Sequence, residues 1–175
     1  MDMQPAILQN LPDVQPLISN AGKAIAFARE NNIPVIFVVV GFRKGVPEIS
    51  KNNKSFSQGK ERFLKMAPEN FMKIHSHLTP TEDEVVVTKR RISAFAGSDL
   101  EIVLRAGLIQ HLVLTGISTS GVVLSTLREA ADKDFQLTVI SDCCADADPE
   151  VHRVLRTKVF PRQAEVLTLE EWMKL

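Results

Sequence analysis

The sequence predicts a single α/β domain, spanning residues 1–175, built on a mostly parallel β-sheet. Residues 33–40, 112–115 and 137–140 are short, continuously apolar runs rich in branched side chains, the pattern of strands covered on both faces. The segments between them carry apolar residues at helical spacing. The chain shows no internal repeat, low-complexity tract or linker, so strand and helix alternate within one unit joined by right-handed crossovers.

Each element has its own signal. Leu17, Ile18, Ala21, Ala24, Ile25 and Ala28 predict an amphipathic helix over about 14–31. The strand at 33–40 follows and stops at Gly41. Residues 42–59 are polar and broken by glycine and proline, which predicts a long surface loop able to shape a pocket. Pro80 and Thr81 introduce a strand at 85–87, and Lys89 stands just past it. Ser98 or Asp99 caps a helix that runs to about Ala106, where Gly107 stops it. The strand at 112–115 breaks at Gly116 into a helix over about 118–133. After the strand at 137–140, residues 141–149 form an acidic turn containing Cys143 and Cys144, and Pro149 opens a helix to about Val159. A last short strand at 164–167 precedes Trp172.

Composition narrows the function classes. With 45% hydrophobic residues, 24% charged residues and no net charge, the chain reads as a soluble globular protein, and nucleic acid is not an expected partner. No apolar run approaches the roughly 20 residues needed to cross a bilayer, so no membrane partner is expected. The two cysteines are adjacent and cannot staple distant parts of the chain, which suits a reducing, cytoplasmic setting.

The turn at 116–126 is the first candidate for a site, because strand carboxyl ends and helix starts collect backbone N–H groups that face an anion or a polarised oxygen. Gly116-Ile117-Ser118-Thr119, followed by a helix, resembles the turn of the isochorismatase-like hydrolases, the superfamily that also holds nicotinamidases and cysteine amidohydrolases. Asp2-Met3-Gln4 near the start agrees with it, as does the stretch from Val87 through Lys89 and Phe95 to Leu100. The resemblance spans nearly the whole chain. It implies a three-layer sandwich around a six-stranded, mostly parallel sheet whose first strand lies in the middle. That strand would precede Asp2, so it looks truncated in this numbering, and the working protein is expected to extend before Met1.

The resemblance also implies the chemistry. Asp2 and Lys89 match the family's catalytic acid and lysine, a carboxylate beside an ammonium that forms a proton relay. The family cysteine corresponds to Val122, which has no nucleophilic atom. The expected activity is therefore hydrolysis of a small molecule by Asp2/Lys89 acid–base chemistry, as in the isochorismatases proper, with the backbone N–H groups of Ser118 and Val122 matching oxyanion donors. A non-proline cis peptide is implied at Ile117-Ser118. Gln4, Phe95 and Thr119 are candidates for the substrate pocket, although Phe95 is equally suited to the core and Thr119 to opening a helix. Arg43, at a strand end in the overhanging loop, is a candidate for an acidic substrate group.

Two other readings stay open: a catalytically silent small-molecule-binding or regulatory protein, and a cysteine amidohydrolase using Cys143 or Cys144. No metal and no cofactor are expected. Gly41-Phe42-Arg43-Lys44 stands where nicotinamidases place metal ligands, and the four histidines lack metal-ligand spacing. Family habit implies a homodimer or larger homo-oligomer.

Overall fold

The computed structural model describes residues 1–175. In chain order the elements are α1 (Pro5–Leu8), α2 (Gln15–Glu30), β1 (Ile36–Val40), α3 (Lys54–Gln58), α4 (Lys60–Lys65), α5 (Pro68–Phe71), β2 (Val85–Lys89), α6 (Leu100–Ala106), β3 (His111–Ile117), α7 (Leu124–Asp132), β4 (Gln136–Ala145), α8 (Pro149–Val154), β5 (Glu165–Leu167) and α9 (Leu169–Trp172). A π turn at Thr119–Val123 leads into α7.

Strand and helix alternate as the apolar periodicity predicts, but the expected six-stranded sheet is not there. Five strands form two parallel sheets, β1-β2 and β3-β4-β5. The physical reason lies at the amino terminus. Met1–Met3 forms no strand, yet it lies between β1 and β3 and hydrogen-bonds to both. The Met1 ammonium donates to the Thr115 carbonyl (3.0 Å), Ile117 N–H donates to the Met1 carbonyl (3.3 Å), and Asp2 N–H donates to the Val38 carbonyl (2.8 Å). Gln4 continues this pairing with its side chain: its amide oxygen accepts from Val40 N–H (2.8 Å) and its amide nitrogen donates to the Val40 carbonyl (3.0 Å). A side-chain amide thus does for β1 what a strand backbone does elsewhere.

Behind Met1 the two sheet edges face each other across an apolar slot. It opens as pockets of about 170 and 130 Å³, both lined by Met1, Ile33, Pro34, Ile36, Val113 and Thr115. Burial holds the Met1 ammonium below the ordinary amine range by desolvation.

Elsewhere the core is conventional. Phe37 and Val38, successive residues of β1, enter different clusters, as strand alternation requires. Phe37 meets Leu17, Ile18 and Ala21 of α2, whereas Val38 packs with Leu100 and Leu104 of α6 and with Leu127 and Ala130 of α7. Burying one leucine such as Leu127 contributes about 2 kcal/mol. The strand expected at 137–140 continues to Ala145, because Cys144 and Ala145 pair with Gly116 and Ile117 after a register shift. Cys143 and Cys144 therefore lie in a strand and not in a turn.

Gly116 is required by this arrangement. Its φ of +147° and the approach of the Met1 backbone leave no room for a side chain, since an added Cβ collides with the Met1 carbonyl. Gly116→Ala is expected to destabilise the protein by about 1–3 kcal/mol through overpacking and backbone strain. The check is a lower urea midpoint at unchanged m-value.

Candidate active site

The parallel strands bring three sequence-distant segments to one end of the molecule. Lys89 closes β2, Asp2 sits on the terminal segment between the sheets, and Ser118–Val122 follows β3. Strand carboxyl ends are where open α/β sheets place their ligands. Here they surround a cleft of about 310 Å³.

Asp2 is buried, and its φ of +58° puts a non-glycine residue in the left-handed region. Such strain collects where function holds a side chain in place. The carboxylate Oδ2 lies 2.9 Å from Lys89 Nζ. Its other oxygen, Oδ1, is buried without a hydrogen-bond partner. Lys89 Nζ also donates to the Arg91 carbonyl (2.9 Å) and the Ile92 carbonyl (3.0 Å). An ammonium has three N–H donors, and three acceptors occupy them. Desolvation pushes the Asp2 carboxyl above its ordinary range, with the Lys89 charge pulling it back. Desolvation also pulls the Lys89 ammonium down, opposed by Asp2.

Of the other turn residues, Ile117, Ser118 and Val122 line the cleft with Asp2 and Lys89. The Ile117-Ser118 peptide bond is cis. Val122 is only 2% exposed and presents a hydrocarbon wall.

Four residues expected in the substrate pocket lie outside the cleft lining. Gln4 is consumed by its bonds to Val40 and by a third, 2.6 Å bond to the Phe71 carbonyl. Phe95 is core, stacked on Phe135 with ring centroids 6.1 Å apart. Thr119 is buried and bonded through its hydroxyl to His152 Nδ1 (2.8 Å). Arg43 is largely exposed, pairs with Glu48 (2.7 Å) and borders a separate small cleft.

The cleft wall contains residues that sequence reasoning missed. Phe56, Phe63 and Phe71 come from the short helices α3, α4 and α5, while Asn10 and Arg62 contribute polar groups. Part of the region read as loop therefore forms the apolar wall. The available signal was the recurrence of phenylalanine at 56, 63 and 71 in an otherwise polar stretch.

Neither cysteine lines the cleft. Both are buried, Cys143 completely, and desolvation pushes both thiols up, Cys144 to about 12. No group of three or more His, Cys, Asp or Glu residues is arranged to hold a metal ion.

The isochorismatase domain family model matches residues 1–171. This chain belongs to the isochorismatase family. It is accordingly a hydrolase of that family, whose characterised relatives act on small molecules. An uncharacterised isochorismatase family protein of Escherichia coli O157:H7 (YecD) is 34% identical, with 89% of this chain and 80% of the relative covered. The ureidoacrylate amidohydrolase RutB of Pseudomonas syringae pv. syringae is 33% identical over 89% of this chain and 64% of its own length, so this chain spans less than two thirds of that enzyme. Among solved structures, an isochorismatase family protein from Burkholderia thailandensis superposes with a TM-score of 0.84 at 26% identity, covering 97% of this chain and 89% of that one. The isochorismatase-family fold thus extends over nearly all of the chain, and no helix in it is long and apolar enough to cross a membrane.

Proposed function

We propose that this isochorismatase-family protein hydrolyses a small molecule at the Asp2/Lys89 cleft by proton transfer, with water and no protein side chain as the nucleophile. The observation that carries this reading is the asymmetry of the Asp2 carboxyl. One oxygen is tied to Lys89, and the other is buried, unpaired and part of a residue that lines the cleft. Leaving a buried polar atom unpaired costs about 1–3 kcal/mol, a cost that a substrate bound against Oδ1 relieves.

The chemistry follows from these protonation preferences. A carboxyl raised by burial is suited to hold a proton and give it to a departing nitrogen or oxygen. Water adds to the carbon that loses that atom, and its proton returns to Asp2, so the net change is addition of water across one bond. Lys89 serves as a fixed positive charge: all three of its donors are engaged, and proton donation to a substrate would break one of those bonds. The backbone N–H groups of Ser118 and Val122, at the cleft edge, are the donors for a developing oxyanion. The substrate class is an amide, ureido or enol-ether compound, in keeping with relatives named ureidoacrylate amidohydrolase and N-carbamoylsarcosine amidase.

Val122 favours one second reading, a binding protein that keeps the pocket without turning its ligand over. The two readings separate when compounds that raise the melting temperature are recovered and identified by mass spectrometry. Conversion supports the hydrolase, and quantitative recovery of every stabilising compound supports the binding protein. Treatment with iodoacetamide under native conditions is expected to leave turnover unchanged, because both thiols are buried and held protonated. Loss of activity on that treatment would instead return the reaction to Cys143 or Cys144.

A further inference from the structure

The charge inventory of the cleft points to the kind of molecule it holds. Two cations line it, Lys89 and Arg62, but only one acid, Asp2. Asp2 is taken by Lys89. Arg62 has no ion-pair partner in the protein, and its hydrogen bond is a single contact to the Ala6 carbonyl. A guanidinium carries five N–H donors in a planar fork, so most of that fork is open to a ligand. The nearby polar residues at the cleft, Asn10 and Ser55, are neutral. The opposite requirement comes from the wall, where Phe56, Phe63 and Ile92 present hydrocarbon.

We infer that the cleft takes a small amphiphilic monocarboxylate: Arg62 holds the carboxylate at the mouth, the apolar body lies along Phe56 and Phe63, and the bond to be cleaved reaches Asp2. This rests on the assignment of the cleft as the substrate site and names the substrate class within it. One guanidinium matches one carboxylate in charge and in fork geometry, whereas a doubly charged phosphate would be left half neutralised. At about 310 Å³ the cleft lies at the small end of the range for ligand sites, which limits the body to roughly one ring or a short branched chain. Arg62 is then a specificity-determining residue, a role for which its exposed position on α4 gives no sequence signal.

The test is calorimetric titration of wild type, Arg62→Gln, Arg62→Lys and Ile92→Trp with benzoate, trans-cinnamate and 3-phenylpropionate, each beside its neutral primary amide. Wild type is expected to bind acids at least tenfold more tightly than the matching amides, with the preference shrinking as salt is added. Arg62→Gln should bring the ratio close to one while amide affinity stays within about twofold, and Arg62→Lys should retain only part of it. Ile92→Trp, which fills the cleft wall, should abolish binding of both members of each pair. If acid preference persists in Arg62→Gln while Ile92→Trp blocks binding, the Arg62 role is overturned and the cleft assignment stands. If binding is insensitive to Ile92→Trp, the ligand lies elsewhere and both fail. Absence of acid binding to wild type at millimolar concentration overturns the inference as well.

Discussion

Lys89→Met is expected to destabilise the protein by about 3–5 kcal/mol near neutral pH, the usual cost of removing one partner of a buried ion pair. Methionine fills much of the lysine volume, so the loss comes from electrostatics and from the stranded Arg91 and Ile92 carbonyls more than from a cavity. The pH dependence distinguishes these causes. Desolvation already raises the Asp2 carboxyl, and removing Lys89 takes away the charge that opposes the rise. The folded variant then holds a proton that the unfolded chain, with an ordinary carboxyl near 3.8, releases. A folded pKa above the unfolded one means stability lost as pH rises through that window. The defect relative to wild type should therefore be largest above the raised Asp2 value and shrink steadily toward pH 4. Lys89 adds no trend of its own: wild type bears the cost of its buried ammonium throughout this range, so that cost offsets the defect by the same amount at each pH. Urea unfolding of both proteins at several pH values between 4 and 8 reads the effect. A defect that does not change with pH would assign it to packing. Adding Asp2→Asn to Lys89→Met should recover part of the loss, because no uncompensated charge then remains buried.

Asp2→Asn is expected to reduce turnover by about 10²–10⁴-fold, the span of general acid–base catalysis. The amide keeps the carboxyl shape and can still accept from Lys89, but it has no proton to exchange at the working pH. Ligand affinity should change little, so the loss appears in kcat far more than in KM. A variant that binds and turns over like wild type would move proton transfer to another group in the cleft.

What was legible in the sequence divides along physical lines. Apolar periodicity marks β1, β3, β4 and the long helix α2 because each buries a face whose pattern extends over several residues. It does not mark α3, α4 or α5, which are too short to show a helical period, so of the aromatic wall of the cleft Phe56 falls in an apparent loop and Phe63 and Phe71 in the polar stretch that follows it. The extension of β4 was hidden for a different reason. Residues 141–145 have the polar, small composition of a turn, and only their pairing with Gly116 and Ile117 makes them strand. Motif resemblance names Asp2 and Lys89, and the fold brings them to 2.9 Å; no spacing rule reports a contact between residues 87 positions apart in the chain. Gln4 belonged to the same motif, but its amide is spent on the β1 backbone, and Arg43 is spent on Glu48. In both cases a local partner, invisible in sequence, captures a side chain that its residue type offered to a ligand.

The most direct test of acid–base hydrolysis without a protein nucleophile is product formation from a mixed panel of amides, ureido compounds and enol ethers bearing a carboxylate. Mass spectrometry would follow wild type, Asp2→Asn and Val122→Cys side by side. Product from wild type, and its loss in Asp2→Asn, is the predicted result. If wild type and Asp2→Asn are both silent while Val122→Cys forms product, the account is contradicted: the reaction then needs a thiol at position 122, where this cleft has none, and the protein is a binder.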